Sequence, residues 1–167
     1  MSAVSNSGPI IHLSWIGRLN LLRTFFDDAV VPVAVRDEVL RAGPQVPGIT
    51  EIRGASAVGW LSVQPVSHTT AVAELRLGLD RGEAEAIVLM REIQAAVLLL
   101  DERQARARAL REGLPIPCTL GILRSARTSG LIPTVEPVLE ELRRGGFRVS
   151  AALVEEIRRE EQALGPG

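Results

Sequence analysis

The spacing of apolar positions changes several times along this chain, and each change marks an element. The most informative stretch is 79–110, LDRGEAEAIVLMREIQAAVLLLDERQARARAL. Polar positions from Asp80 to Glu83 open a helix that stays almost wholly apolar through Ile93. An unbroken apolar run, Ala95 to Leu100, then ends abruptly in Asp101. Such a run between two helical patterns predicts a central strand of a parallel sheet with helices on both faces.

The rest of the chain repeats this alternation on a smaller scale. Ala3 to Ser5 predicts a short strand stopping at the turn Asn6, Ser7, Gly8, Pro9. Pro9 suits the first turn of a helix, on which Ile10, Ile11, Leu13 and Ile16 make an apolar stripe, and Gly17 suits its end. A second short helix follows from Arg18 to about Phe26. Ala29 to Pro32 predicts another strand, with Pro32 at the start of a helix whose Val35, Val39 and Leu40 point one way. Residues 42–49 hold two prolines and two glycines and read as a loop. Thr50 to Val58 then fits a helix, Trp60 to Gln64 a strand, and Thr69 to Leu77 a short helix.

Beyond Asp101 a helix is predicted over Glu102 to Arg111, with Gly113 as its stop. LPIPC, residues 114–118, predicts a strand whose prolines place it at a sheet edge. Helices follow from Thr119, as cap, to about Ala126, from Val135 to Arg144, and from Ala151 to Leu164. Short strands alternating with helices predict the α/β class, a parallel sheet wrapped by helices.

Composition narrows the function classes. The 167 residues fit one domain with a sizeable core, and 46% hydrophobic content excludes a disordered chain. No apolar run approaches a membrane span, and the amino end lacks a secretory pattern. One cysteine, Cys118, offers neither an internal disulfide nor a thiolate metal set, and reads as a small core residue. A reducing cytoplasm is the simplest setting. A net charge of −1 argues against nucleic-acid binding through a bulk positive field, so any such contact is local. All nineteen cationic side chains are Arg, which suits phosphate contacts and equally reflects composition bias.

Candidate chemistry sits at the ends of predicted strands and the starts of helices: Asn6, Glu38, Glu83 and Asp101. Each has a plain alternative. Asn6 suits a turn that satisfies backbone amides, and Glu38 suits a solvated helix face. Asp80 with Glu83, and Asp101 with Gln104, match the capping-box spacing. What raises them together is topology, because a parallel α/β sheet puts every strand's carboxyl end and the helix start after it on one side. Carboxylates crowded there repel one another and raise their own proton affinity, which a divalent cation relieves. Oxygen donors suit Mg²⁺ or Mn²⁺, and no His and Cys set for zinc is present. His12, on an apolar stripe, and His68, in a polar stretch, receive no role. Ser5 and Ser7 lack a nucleophile-elbow pattern. The Arg-rich helix after Asp101 suits a solvated face, and its Arg103 and Arg106 follow Asp101 closely enough to hold an RNA phosphodiester.

Five segments together resemble the PIN-domain family, in its compact VapC-like branch found beside small antitoxin genes: VSNSGPIIHLSWIGRLNLL, VVPVAVRDEVL, GEAEAI, LLLDERQARARALREGLPI and CTLGILRSARTSGLI. The resemblance runs over nearly the whole chain. It implies a three-layer α/β/α sandwich around a parallel central sheet, a single domain over 1–167 with the helices of about 135–164 as a C-terminal extension. It also implies a ribonuclease dependent on Mg²⁺ or Mn²⁺, the toxin of a pair, with RNA and a small antitoxin as partners and a homodimer as its state. Residue by residue, Glu38, Glu83 and Asp101 match the family's second, third and fourth acidic positions. Glu85, deeper in the same helix, points elsewhere. The departure is Asn6, where the family commonly has Asp; an amide carbonyl can coordinate a cation but brings no charge and cannot act as a base. That substitution supports a second reading, a PIN-like binding module with weakened catalysis. A receiver-like Mg²⁺ regulator is a third, and it lacks the acidic pair expected after the first strand.

Overall fold

The computed structural model describes residues 1–41, 43 and 48–165. They group into two compact units, Met1–Thr119 and Leu120–Gly167.

In the first unit the elements run β1 (Ser2–Ser5), α1 (Ser7–Trp15), α2 (Asn20–Phe25), β2 (Asp28–Pro32), α3 (Val33–Arg41), α4 (Ile49–Val58), β3 (Leu61–Gln64), α5 (Thr69–Leu75), α6 (Arg81–Glu92), β4 (Val97–Leu99) and α7 (Arg103–Arg111). The four strands form one all-parallel sheet in the order β3-β2-β1-β4. Its register sets Val4 beside Val30 on one side and Leu98 on the other. These three share a core with residues of α5, α6 and α7, among them Val72, Leu75, Ile87 and Ala105. By the alternation of the pleat, Ala3, Ala29 and Leu99, all buried, serve the opposite face. The fold is a three-layer α/β/α sandwich.

Helix α6 is the element whose pattern and position agree most closely. Asp80 caps it through both arms of a capping box with Glu83, and every residue from Gly82 to Met90 is buried. A stretch buried on every side needs cover on every side; α3, α5 and strands β1, β2 and β4 pack against it.

The strand that follows is shorter than its apolar run and lies at the end of the ladder, not in its centre. Its outer side is nevertheless covered. Leu98 N–H donates to the Pro115 carbonyl at 3.0 Å and Leu100 N–H to the Pro117 carbonyl at 3.2 Å. The two prolines have no N–H to return, so 115–117 lies along β4 without becoming the predicted strand. That cover explains why β4 reads as a buried central strand.

Other expectations need correction. Leu40 does not share the buried face of Val35 and Val39, being 54% exposed. Pro32 ends β2, and α3 begins after it. Glu102, not Asp101, caps α7, accepting the Gln104 N–H at 3.2 Å. Cys118 is only half-buried. Of the loop predicted at 42–49, residues 42 and 44–47 lie outside the described residues, and Ile49 already belongs to α4.

The second unit consists of α8 (Thr119–Thr128, starting at the boundary), α9 (Glu136–Arg144) and α10 (Ala151–Leu164). Val135, the N-cap of α9, offers no capping side chain. Glu161 of α10 takes that part, accepting the Thr134 hydroxyl and the Val135 N–H. Among the described residues no helix is long and apolar enough to cross a membrane.

Candidate metal centre

Asn6 follows β1 and stands at the N-cap of α1, where its side chain makes no capping hydrogen bond. Its plain role in satisfying turn amides is therefore not the one it has. The residue is 6% exposed, and among the described residues its Oδ1 is a buried acceptor with no donor. Buried polar atoms are nearly always paired, so an orphaned carbonyl oxygen asks for a ligand.

Glu38 reaches the same place from the middle of α3. A methyl group added to Gly82 would lie 2.6 Å from Glu38 Oε1 and 3.0 Å from Asn6 Oδ1. The absent side chain of Gly82 thus leaves a cradle bordered by an amide oxygen and a carboxylate oxygen. Burial pushes the Glu38 carboxyl above its ordinary range, a Ser7 hydrogen bond works against that, and the charge of Asp80 adds to it.

Glu83 sits one residue beyond Gly82 and is 5% exposed. Its Oε2 accepts the Asp80 N–H at 3.1 Å, and its own N–H donates to Asp80 Oδ1 at 2.8 Å. The capping role is real, yet it does not exhaust the residue. Burial raises the Glu83 carboxyl, the Asp80 N–H lowers it, and the charges of Asp80, Glu102 and Glu38 raise it again. Glu38 and Glu83 therefore share one electrostatic field.

Asp101 is held differently. Its Oδ1 accepts the Thr119 N–H at 2.8 Å, and its Oδ2 accepts the Thr119 hydroxyl at 2.6 Å and lies 2.7 Å from His12 Nδ1. Gly8, in the first turn of α1, leaves room for it, since a methyl there would lie 3.4 Å from both its Cβ and Oδ2. Among the described residues no three of His, Cys, Asp and Glu are grouped as a metal site. The structure thus brings Asn6 and Glu38 to one cradle and Glu83 into their field, while Asp101 is engaged by protein donors.

The donor set fits a hard cation. An unpaired carbonyl oxygen and two carboxyls beside Gly82, all oxygen donors, suit a divalent cation that prefers oxygen ligands.

A family model, DUF3368, described as a PIN domain, matches residues 2–162. The chain belongs to the PIN-domain family. PIN domains are generally nucleases and usually use divalent metal ions. Among solved structures, a PilT N-terminus domain protein, SSO1118, from the hyperthermophilic archaeon Sulfolobus solfataricus P2 is similar in fold, with a TM-score of 0.53 and 16% identity over 75% of this chain and 93% of that one. No curated protein sequence matches the chain.

Within this PIN domain, several residues of the site escaped the sequence pattern. His12 stands on the stripe that packs α1 and also meets Asp101, a contact across 89 residues that no local spacing reveals. Thr119 opens α8 and gives Asp101 two hydrogen bonds. Of the arginines after Asp101, Arg106 donates through Nη1 to the Leu100 and Ile116 carbonyls, which holds the strand end, whereas Arg103 is exposed.

Proposed function

We propose that this PIN domain is a metal-dependent ribonuclease, with Asn6, Glu38 and Glu83 holding Mg²⁺ or Mn²⁺ and Asp101 completing the catalytic group. The observation that carries the reading is the unpaired Asn6 Oδ1 beside Glu38 Oε1 over Gly82. When bound, the ion acidifies a water molecule and stabilises the charge that grows on a phosphate. The protein's own part is positional. Ser7 steadies the Glu38 carboxyl, the capping box fixes Glu83, and His12 with Thr119 orients Asp101. Arg103, exposed at the start of α7, meets the phosphodiester backbone. Single-stranded or loop RNA is the substrate, because a cleaving site needs an accessible backbone. The compact VapC-like resemblance supports a toxin role, with a small antitoxin as partner and a homodimer as the working form.

One observation favours a second reading, a binding module with weakened catalysis: the residue at the end of β1 is an amide and brings no charge to the cation. RNA cleavage by purified protein separates the two. As a nuclease, the chain cuts single-stranded RNA in Mg²⁺, Glu83→Gln abolishes cutting, and Asn6→Asp cuts faster at limiting Mg²⁺. If the natural chain and Asn6→Asp were both inert on a broad RNA pool, the binding module would stand instead.

A further inference from the structure

Glu85 is a buried carboxylate outside the proposed ligand set, and both its oxygens are engaged. Oε2 accepts the Ala34 N–H at 3.0 Å, and Oε1 accepts Arg81 Nε at 2.7 Å. Its side chain is 5% exposed, against 56% for that of Arg81. Ala34 lies in the first turn of α3, where backbone N–H groups have no partner within the helix and the helix end carries positive potential. Arg81 is the first residue of α6. One carboxylate therefore ties the start of α3 to the start of α6, and these two helices face Glu38 and Gly82 to each other.

We propose that Glu85 is a positioning residue: by anchoring the first turn of α3 to α6, it sets where Glu38 stands over Gly82. The inference rests on reading that cradle as the place of the ion. Ala34 and Glu38 are about one helical turn apart, so a shift at the anchor travels to Glu38 through a rigid piece of helix. Coordination distances tolerate only about 0.2 Å of error, so a small shift weakens the site. The ion pair itself is a poor reason for this carboxylate, since Arg81 is largely exposed and pairs to an exposed partner contribute little.

The test is Mn²⁺ affinity of the full chain, measured by the electron paramagnetic resonance signal of free Mn²⁺, with melting of the metal-free protein recorded in parallel. Glu85→Gln keeps an acceptor for the Ala34 N–H and is expected to bind Mn²⁺ within about threefold of the natural chain. Glu85→Ala removes the acceptor and is expected to bind about tenfold more weakly or worse while still folded, the range seen when supports behind metal ligands are lost. If Glu85→Ala does not fold, the double variant Arg81→Leu, Glu85→Leu takes its place: it removes the ion pair as a unit, leaves the Ala34 N–H unserved, and carries the same tenfold expectation. Natural affinity in the alanine or double variant overturns the inference. So does a Gln variant as weak as the alanine variant, because charge and not anchoring would then be responsible. Failure of the cradle itself reads differently: the natural chain would bind Mn²⁺ no more tightly than Glu38→Gln, and the inference would fall with it.

Discussion

Asp101 Oδ2 lies 2.7 Å from His12 Nδ1, joining the end of β4 to the middle of α1. With the two hydrogen bonds from Thr119, this makes Asp101 a structural acceptor as well as an acid. Repulsion among carboxylates alone would make Asp101→Asn harmless to the metal-free fold. The geometry reverses that expectation, because Asn would exchange the charge-assisted hydrogen bonds from Thr119 for weaker neutral ones. Asp101→Asn should cost about 1 kcal/mol, the order by which a hydrogen bond to a charged group exceeds a neutral one. Urea unfolding of the metal-free protein measures it, and an unchanged midpoint would contradict the arrangement.

Gly82→Ala places a methyl group 2.6 Å from Glu38 Oε1. In an ordinary helix interior the change gains about 1 kcal/mol of helix propensity. Here it should remove most of the Mn²⁺-induced rise in melting temperature, since the ion's space is taken. Binding of a ligand to the folded state alone raises that temperature by mass action. A full Mn²⁺ shift in Gly82→Ala would place the ion elsewhere.

Burial is the largest cause that raises the carboxyls of Glu38 and Glu83 above their ordinary range. A raised folded-state value means that the protonated form is favoured by folding. The stabilisation is complete below the unfolded value and is lost as pH rises through the folded value. Metal-free protein should therefore lose stability as pH climbs from the ordinary carboxyl range toward neutrality. Glu38→Gln should flatten that slope and, at neutral pH, raise the melting temperature. Saturating Mn²⁺ should offset the loss, and a pH-independent melting temperature without metal would contradict the shifts.

In the second unit, Glu161 serves the Thr134 hydroxyl and the Val135 N–H at the start of α9. Glu161→Ala removes this borrowed cap and should cost about 1 kcal/mol, the usual value for a lost N-cap. Hydrogen exchange at the first turn of α9 should rise. Unchanged protection there would show that the cap is dispensable.

Much of the fold was legible because local rules and tertiary packing agree. The capping box of Asp80 and Glu83, the apolar run within α6 and the glycine stop at Gly113 each read the same way at both levels. What was hidden depended on distant partners. A capping Asn and an orphaned Asn look identical in sequence, and only the lack of a donor near Asn6 tells them apart. The place of β4 was misread because the cover from 115–117 makes a terminal strand as apolar as a central one. Glu85 could not be assigned at all from spacing, since its meaning lies in Ala34, 51 residues away.

Crystals soaked in Mn²⁺ test the central claim most directly, through the anomalous signal of the ion. The account predicts a peak over Gly82 with Asn6 Oδ1 and a Glu38 carboxylate oxygen among its contacts. A peak that avoids both residues, or an Asn6 Oδ1 paired with a protein donor while Mn²⁺ binds elsewhere, would contradict it.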